Sequence, residues 1–503
     1  MNFNTAEYRD KVLGCWLGKS IGGTIGAPME WKRQVNDVTF YTQDLTGEPV
    51  PNDDLDIQLL WLVALEEQGP KLDAHMLADY WLLYVTPHWA EYGMCKANLR
   101  IGLSPPLSGT YENDYKDSCG AFIRSEIWAC ICPGNPQMAA RYAYEDAIID
   151  HGNGEGTYAE VFCAALEAAA FVCKDIHKLI DIGLSYIPKD CGVARAVLLA
   201  QECYRGKKTW LEARNLILEK YRGRLGWGTP SPDDVKRGFD TGKLGWDVPS
   251  NIGMLLIGLL YGEGDFDKSI CTAVNCGEDT DCTAATVGSI FGILWGSKAI
   301  PERWIKPIGR GIKTACLNLG ELGYFGNQVP QNVDDLTERT LNVARRVSAE
   351  RGLAISYGDL PSDKMEKLDS LYAGGMMDWF YLHTGGPKFV NGYFEVSLNY
   401  GEDGPVIRPG VAKTIGIRIA NQYKYQTMLQ MRFLMPEGVV VEGGNEYAYQ
   451  CLQPHFRQPT FVPFVLKADQ IKSSVIRGVV EFTQPGRATT FYVPIVLLHA
   501  PAK

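Results

Sequence analysis

The sequence predicts a multidomain α+β protein, in which a large all-α domain is followed by a C-terminal β-sandwich. The chain has 503 residues, which is more than one hydrophobic core usually organises. Helix-like patterns fill the chain up to about residue 320, whereas short β-branched and aromatic runs begin near residue 386. We therefore expect an all-α domain at 1–320, a helical connector at 321–385 packed on it, and a β-sandwich at 386–503.

The N-terminal part has the residue spacing of buried helices. Residues 156–174 (GTYAEVFCAALEAAAFVCK) are rich in alanine and place apolar side chains at three- and four-residue steps. Residues 250–261 and 283–295 show the same pattern, with small residues that permit close packing. Alternating strand patterns are scarce here, so we predict a compact all-α domain.

The C-terminal part consists of short segments separated by turn residues such as Pro485-Gly486. They are YFEVSLN (393–399), TIGIRIA (414–420), TMLQMRFL (427–434), RGVVEFT (477–483) and TTFYVPIVLL (489–498). This spacing is typical of a β-sandwich. We expect the sandwich either to bind carbohydrate or to form an oligomer contact.

The composition, with 46% apolar and 21% charged residues, is ordinary for a globular protein. A net charge of −10 argues against nucleic acid or an anionic membrane as the main partner. The polar N-terminus and the lack of any apolar run of about 18 residues predict neither a signal peptide nor a membrane span. The 14 cysteines form no C-x-x-C pairs, so we expect reduced thiols and a cytoplasmic location.

Two short acidic clusters point most directly to chemistry: residues 52–54 (Asn-Asp-Asp) and residues 279–281 (Asp-Thr-Asp). Carboxylates so close together repel one another unless a proton or a cation lies between them. Their hard oxygen atoms suit Mg²⁺, Mn²⁺ or Ca²⁺ better than zinc. Two facing pairs could hold two ions roughly 3.5–4 Å apart, as in binuclear hydrolases. Metal-assisted hydrolysis is therefore the leading interpretation.

The same acidic residues also have a plainer interpretation. Asp279 and Asp281 could cap the start of a helix, where free N–H groups attract carboxylates. Asp53 and Asp54 could form a solvated turn before the next helix. Asp56 could also lie within reach of the site, but helical spacing favours the prediction that it faces water.

Glycines and tryptophans allow similar pairs of interpretations. Gly22, Gly23 and Gly26 could suggest a phosphate-binding loop, but no strand precedes them and no G-K-S/T follows at P-loop spacing. Close helix packing is the better interpretation. Trp227 and Trp246, each flanked by glycine, could line a cleft or pack in the core.

Four segments, in order, resemble the ADP-ribosylglycohydrolase family, which includes nitrogenase-reactivating glycohydrolases. Residues 14–31 (GCWLGKSIGGTIGAPMEW) are similar to its glycine-rich opening helix pair, which ends in Gly-x-x-x-Glu. Residues 52–54 stand in the place of its Thr-Asp-Asp, and residues 118–124 (SCGAFIR) in that of its Gly-Asn-Gly-Ala-x-x-Arg. Residues 266–296 (FDKSICTAVNCGEDTDCTAATVGSIFGILWG) are similar to its terminal signature, Gly-Gly-Asp-Thr-Asp-Thr. The resemblance spans roughly residues 10–310.

The resemblance implies an all-α bundle with two Mg²⁺ or Mn²⁺ ions in a cleft. It also implies cleavage of the bond that joins C1″ of ADP-ribose, or of a related riboside, to a protein side chain or small acceptor. The implied metal ligands are Asn52, Asp53, Asp54, Asp279, Asp281 and Cys282. The implied catalytic residues are Glu30, Asp53 and Asp54, and the implied substrate-binding residues are Gly120, Arg124 and His151. For Arg124, a phosphate contact and a buried pair with an Asp both remain open.

The chain departs from the family pattern at four positions. Asn52 replaces a threonine, and its amide oxygen can still bind a hard cation. Cys119 replaces an asparagine, Glu278 replaces a glycine, and Cys282 replaces a threonine ligand although a thiol is a poor Mg²⁺ ligand. These changes leave two alternatives open. One is hydrolysis of another furanoside or ribosyl glycoside with the same binuclear site; the other is a catalytically inactive ADP-ribose-binding relative, as among the lens crystallins.

Overall fold

The computed structural model describes residues 1–30, 32–221, 246–324, 328–375, 385–454, 457, 459–469 and 471–500. Contacts divide the chain into two compact units. The first comprises Met1–Met94 and Asn113–Asp378, and the second comprises Cys95–Glu112 and Trp379–Lys503. Within the described ranges, no helix is both long enough and apolar enough to cross a membrane.

The N-terminal part of the chain is helical, and the strands that follow it form two sheets, which confirms the predicted α+β class. The helices are α1 (Thr5–Gly26), α2 (Asp53–Gln68), α3 (Ala74–Tyr84), α4 (Ala90–Ile101), α5 (Leu107–Thr110), α6 (Glu126–Ile131), α7 (Pro136–Ala147), α8 (Glu155–Ala170), α9 (Ile176–Leu184), α10 (Gly192–Arg205), α11 (Trp210–Tyr221), α12 (Val248–Gly262), α13 (Phe266–Asn275), α14 (Thr280–Trp295), α15 (Glu302–Ile308), α16 (Leu319–Tyr324) and α17 (Val333–Glu350). Short 3₁₀ turns follow α1 at Ala27–Met29 and precede α6 at Phe122–Arg124.

Helices α1 and α14 pack with their backbones in contact. A Cβ added at Gly18 would lie 2.0 Å from the carbonyl oxygen of Gly288, and one at Gly22 would lie 2.2 Å from that of Ala284. Only glycine permits an approach this close. The predicted role of these glycines in helix packing is confirmed, and a phosphate-binding loop at this position is excluded.

Helix α17 packs on the same unit. It buries Leu336, Leu341 and Val347 along one face. On its other side Arg339 forms an ion pair with Glu66 of α2, in which Nη2 and Oε2 are 2.6 Å apart. After α17 the chain returns to its own beginning, where β2 (Ser356–Gly358) pairs in parallel with β1 (Asn2–Asn4).

The second unit contains two five-stranded sheets, whose strands are β3 (Lys388–Asn391), β4 (Phe394–Asn399), β5 (Val406–Ile407), β6 (Lys413–Asn421), β7 (Thr427–Leu434), β8 (Val439–Val441), β9 (Glu446–Leu452), β10 (Thr460–Ala468), β11 (Val475–Thr483) and β12 (Thr490–His499). The strand orders are β3-β4-β6-β10-β8 and β5-β12-β11-β7-β9. Val396 pairs with Ile419 in the first sheet and Val480 with Val493 in the second, and all four are buried. Inward-facing residues of both sheets form one apolar core, as in a sandwich.

Candidate functional site

A cavity of about 300 Å³ in the helical unit brings the two acidic clusters together. The predicted site residues that line it are Glu30, Asn52, Asp53, Gly120, Asp279, Asp281 and Cys282. Asp54, Arg124 and His151 are buried beneath the surface of this cleft and do not line it. The cleft lies where the C-terminal end of α1 meets the N-terminal ends of α2 and α14.

The N-terminus of α2 supplies the first cluster. Asn52 caps this helix, since its Oδ1 accepts a hydrogen bond of 2.8 Å from the backbone N–H of Asp54. Asp53, in the first turn, is half-buried and accepts a hydrogen bond of 3.3 Å from the hydroxyl of Tyr92. Burial raises the pKa of Asp53, and the nearby charge of Asp279 raises it further.

The N-terminus of α14 supplies the second cluster. Asp279 occupies the capping position, yet its side chain makes no capping hydrogen bond, so the plainer interpretation does not account for it. Asp281 is 5% exposed. Burial raises the pKa of Asp281 well above its usual range, and Glu30 and other neighbouring carboxylates add to the effect. Its position is therefore unfavourable for a lone carboxylate.

Two sets of ligand atoms in the cleft have the spacing of cation sites. The carboxylates of Glu30, Asp279 and Asp281 place oxygen atoms within 4.8 Å of one another, and those of Asp54 and Asp281 do the same with the Cys282 thiol. Among the described residues, Oδ1 of Asp279, Oδ1 of Asp281 and Oδ2 of Asp54 are buried without a hydrogen-bond partner. Buried oxygens of this kind fit a divalent cation.

The tight packing of α1 sets the position of Glu30. A Cβ on Gly26 would lie 2.4 Å from Cα of Asp281, so the end of α1 touches the start of α14. The chain then makes one 3₁₀ turn, which ends at Glu30. Glu30 is thereby held beside Asp281 although the two residues are far apart in sequence.

Asp54 lies between a buried cation and a thiol. Nζ of Lys19 is 3.7 Å from Oδ2 of Asp54, and it donates a hydrogen bond of 2.8 Å to Glu126. The Cys282 thiol donates to Oδ1 of Asp54, with a sulfur–oxygen distance of 3.3 Å. Burial lowers the pKa of Lys19, but Glu126 and Asp54 outweigh this, and the net pKa is raised. Burial raises the pKa of Asp54, and Lys19 opposes that rise.

Arg124 forms the buried pair that was one of its two interpretations. It is 0% exposed, and its Nη2 lies 2.6 Å from Oδ1 of Asp150. Nε donates to Asp146 at 2.9 Å, and Nη1 donates to the carbonyl oxygen of Gly120 at 2.5 Å. Burial raises the pKa of Asp150, but Arg124 and His151 together lower it by more, to below its usual range. Arg124 does not line the cleft itself, but it contacts the backbone of Gly120, which does.

His151 continues this network. Its Nδ1 is 2.9 Å from Oδ1 of Asp150, and its Nε2 is 3.1 Å from the hydroxyl of Ser118, which lines the cleft. The ring is fully buried and packs against Gly156, where an added Cβ would lie 2.0 Å from Cδ2. His151 therefore supports the cleft wall from behind.

Glu91 is a cleft residue that the sequence did not indicate. It is 7% exposed, it lines the cavity, and burial raises its pKa to about 7. A Cβ at Gly120 would lie 2.0 Å from Oε1 of Glu91, so the Glu91 carboxylate lies directly against this glycine. Trp246 lines the cleft, as one interpretation predicted, whereas Trp227 lies outside the described residues.

The expectation that Asp56 faces water is wrong. Asp56 is fully buried, and its Oδ2 accepts hydrogen bonds of 2.6 Å from the backbone N–H groups of Ala315 and Cys316. Residues 315 and 316 cover that face of α2, a long-range contact that helical spacing cannot reveal. Asp56 therefore anchors this loop, and Ala315 and Cys316 form part of the cleft wall.

Known proteins resemble this chain to different extents. An uncharacterized protein from Archaeoglobus fulgidus is 27% identical over 311 residues, which cover 59% of this chain and 91% of that protein. Two solved structures, a FixG-related protein from Vibrio parahaemolyticus (TM-score 0.17, 14% identity) and a conjugative transposon lipoprotein from Bacteroides eggerthii (TM-score 0.17, 10% identity), cover 22% and 21% of this chain and 98% of their own. These two likenesses carry no argument.

The family model for ADP-ribosylglycohydrolase matches residues 4–343. This match includes both acidic clusters and every residue that lines the cleft. Because it covers more than half of the chain, this protein belongs to the ADP-ribosylglycohydrolase family, a family of glycosidic-bond hydrolases.

Proposed function

We propose that this protein hydrolyses the C1″ glycosidic bond of an ADP-ribosyl group attached to a protein side chain or a small acceptor, with Mg²⁺ or Mn²⁺ as cofactor. The observation that carries the proposal is the convergence of the two acidic clusters in one cleft. Asp279 and Asp281 each have a buried oxygen without a hydrogen-bond partner in the described part of the chain. A cation stabilises such oxygens, which burial otherwise makes costly.

Glu30, Asp279 and Asp281 would hold the cation, because their oxygens form the all-oxygen cluster. When bound, a divalent cation supplies positive charge that lowers the pKa of water and attracts hydroxyl oxygens. Asp53 lines the cleft beside this cluster, where its carboxylate stabilises positive charge that develops at C1″ in an oxocarbenium-like transition state.

Two carboxyl groups serve proton transfer. Glu30 is partly exposed at the cleft, where its carboxylate can accept a proton from the attacking water. Glu91 is buried in the cleft wall, and its pKa of about 7 leaves much of it protonated at neutral pH. It can therefore donate a proton to the leaving group. We propose Glu30 as the general base and Glu91 as the general acid.

The remaining cleft residues bind and orient the substrate. Arg124 and His151 hold Gly120 and Ser118 in place from behind. Trp89 is 47% exposed and lines the cleft. Its flat face can stack on a sugar or an adenine ring. Arg124 and His151 are thus positioning residues and do not touch the substrate.

Substitution of the acidic residues tests the proposal. Asp53→Ala and Asp281→Ala should abolish the release of ADP-ribose and leave the far-ultraviolet circular dichroism unchanged. Asp335→Ala is the matched control, since Asp335 is also acidic and in a first helical turn, but its side chain is exposed on the surface of α17. Full activity in both cleft variants would overturn the metal-dependent mechanism.

A second candidate is hydrolysis of another furanoside or ribosyl glycoside with the same carboxylates. Cys119 and Cys282 line the cleft, and Glu278 beside it adopts a backbone φ of 68°, which usually requires glycine. These residues change the surface offered to a substrate. Hydrolysis of a simple riboside without action on ADP-ribosylated protein would favour this candidate, whereas binding without turnover under every divalent cation would favour an inactive relative.

A further inference from the structure

We propose that this chain binds one divalent cation, and that the side chains of Lys19 and Cys282 fill the place around Asp54 where a second cation would bind. The inference rests on the proposed function, because it concerns the metal content of the same cleft. It departs from the two ions that the family resemblance implies.

The ligand atoms around Asp54 do not suit a hard cation. In the set formed by Asp54, Asp281 and Cys282, the third atom is a sulfur. The thiol donates to Oδ1 of Asp54 over 3.3 Å and so occupies one of the two carboxylate oxygens of that residue. Mg²⁺ and Mn²⁺ prefer oxygen ligands and bind thiols poorly. This cluster therefore lacks a complete ligand set for a hard cation.

The positive charge of Lys19 also disfavours a cation at Asp54. The ammonium of Lys19 lies 3.7 Å from Oδ2 of Asp54, and both side chains are 1% exposed. Hydrogen bonds to Glu126 (2.8 Å), to the carbonyl oxygen of Ile123 (2.6 Å) and to the hydroxyl of Thr286 (3.4 Å) fix it there. Where water is excluded, charges interact strongly, so this ammonium repels any divalent cation placed against Asp54. It also supplies the positive charge that Asp54 needs.

Asn52, the uncharged residue among the implied ligands, is held in another role. The amide oxygen of Asn52 already accepts the backbone N–H of Asp54 at 2.8 Å, in the cap of α2. Its amide nitrogen faces Gly23, where an added Cβ would lie only 2.3 Å away, so the side chain has little room to turn. The uncharged ligand of the second cation site is thus already used in a hydrogen bond within the protein.

The all-oxygen cluster differs in that, within the described ranges, no ammonium lies against its two aspartates, whereas Oδ2 of Asp54 has Lys19 at 3.7 Å. Oδ1 of Asp279 and Oδ1 of Asp281 are buried without a hydrogen-bond partner among the residues that the structure describes. In the same part of the chain, no ion pair to a lysine or arginine is found for either carboxylate. One cation at this cluster, together with Lys19 at Asp54, offsets part of the negative charge of the cleft.

The test is the stoichiometry of Mn²⁺ in the full-length protein after removal of metal with a chelator. Equilibrium dialysis with Mn²⁺ alone should give one ion per chain, and electron paramagnetic resonance should show a spectrum without exchange coupling between ions. Two ions per chain with a coupled spectrum would overturn the inference but leave the proposed function intact. No bound Mn²⁺ would overturn both, so the two failures are distinguishable.

A variant tests the roles of the two side chains directly. Lys19→Met combined with Glu126→Gln and Cys282→Thr removes the buried cation and its counter-charge together, and it replaces the thiol by a hydroxyl. This variant should bind two Mn²⁺ ions. Lys11→Met is the matched control, since Lys11 is also on α1 and donates to the carbonyl oxygen of Ile293, and it should still bind one. A folded triple variant that binds one ion would refute the role given to Lys19 and Cys282.

Discussion

The close packing of α1 against α14 can be tested with a single added methyl group. Gly18→Ala places Cβ 2.0 Å from the carbonyl oxygen of Gly288 and 2.3 Å from its carbonyl carbon. Both atoms belong to a helix backbone and cannot rotate aside. Ordinary contact begins at 3.4 Å, so the two helices must separate by about 1.4 Å at this point.

The magnitude follows from two opposing effects. Alanine is a better helix former than glycine, which alone would stabilise α1 by about 1 kcal/mol. Overpacking of a core costs roughly 1–3 kcal/mol, and more where backbone must move. Gly14, Gly22 and Gly26 lie one turn before and one and two turns after Gly18, and a Cβ added at any of them would also lie within 2.7 Å of α14 or its C-terminal cap, so a separation here loosens its neighbours too. We expect a net destabilisation of about 2–4 kcal/mol.

Urea unfolding of the full-length chain, followed by far-ultraviolet circular dichroism, measures this effect. Gly320→Ala is the matched control. Gly320 is also helical, but a Cβ added there would lie 3.7 Å from the nearest atom, Oδ1 of Asn318. The control should be unchanged or slightly more stable. If Gly18→Ala were as stable as this control, the close packing of α1 against α14 would be refuted.

Three further predictions follow from the site. Gly26→Ala should push Asp281 away from its partners and weaken Mn²⁺ binding at least tenfold in calorimetry, about 1.4 kcal/mol, whereas unchanged affinity would contradict the contact. Arg124→Met should destabilise the protein by about 3–5 kcal/mol in urea unfolding, because it leaves Asp150 buried without its cation; a smaller loss would mean that the pair is not structural. Burial raises the pKa of Glu91 from 4.5 to about 7. The protonated carboxyl therefore adds its full contribution to the stability of the folded state below pH 4.5, and this contribution is lost as the pH rises through 7. Glu91→Gln should therefore lose less stability than the wild type between about pH 5 and pH 8 in urea unfolding, and an identical loss would show that Glu91 is not the titrating group.

Local patterns in the sequence predicted much of the architecture. Three- and four-residue spacing indicated the helices, and period-two runs indicated the strands, because these periods decide which side chains share a face. Asp53 and Asp281 were placed in one site because each lies in a recognisable acidic motif. The glycines of α1 were assigned to packing because the flanking sequence excluded a phosphate loop.

The features that the sequence did not predict depend on contacts between residues far apart in the chain. Glu91 has no acidic neighbour in sequence, and only the tertiary structure places it in the cleft beside Gly120. Lys19 looks like an ordinary lysine of an amphipathic helix until Glu126 is seen beside it. Leu103, in the segment at 95–112, packs into the core of the β unit, although no strand pattern occurs there.

The packing of α1 against α14 and the acidity of the cleft are parts of one arrangement. Close approach of the two helices forces Glu30, Asp279 and Asp281 together, and burial raises the pKa of Asp281, so the charged cleft opposes folding. A bound cation offsets that repulsion by mass action, by about 2.7 kcal/mol at a concentration a hundred times its dissociation constant. At Asp54 the same repulsion is already reduced by Lys19, which belongs to the fold itself. The cleft therefore needs a cation from solution only where the chain provides none, which is the physical reason for a single ion beside Asp281.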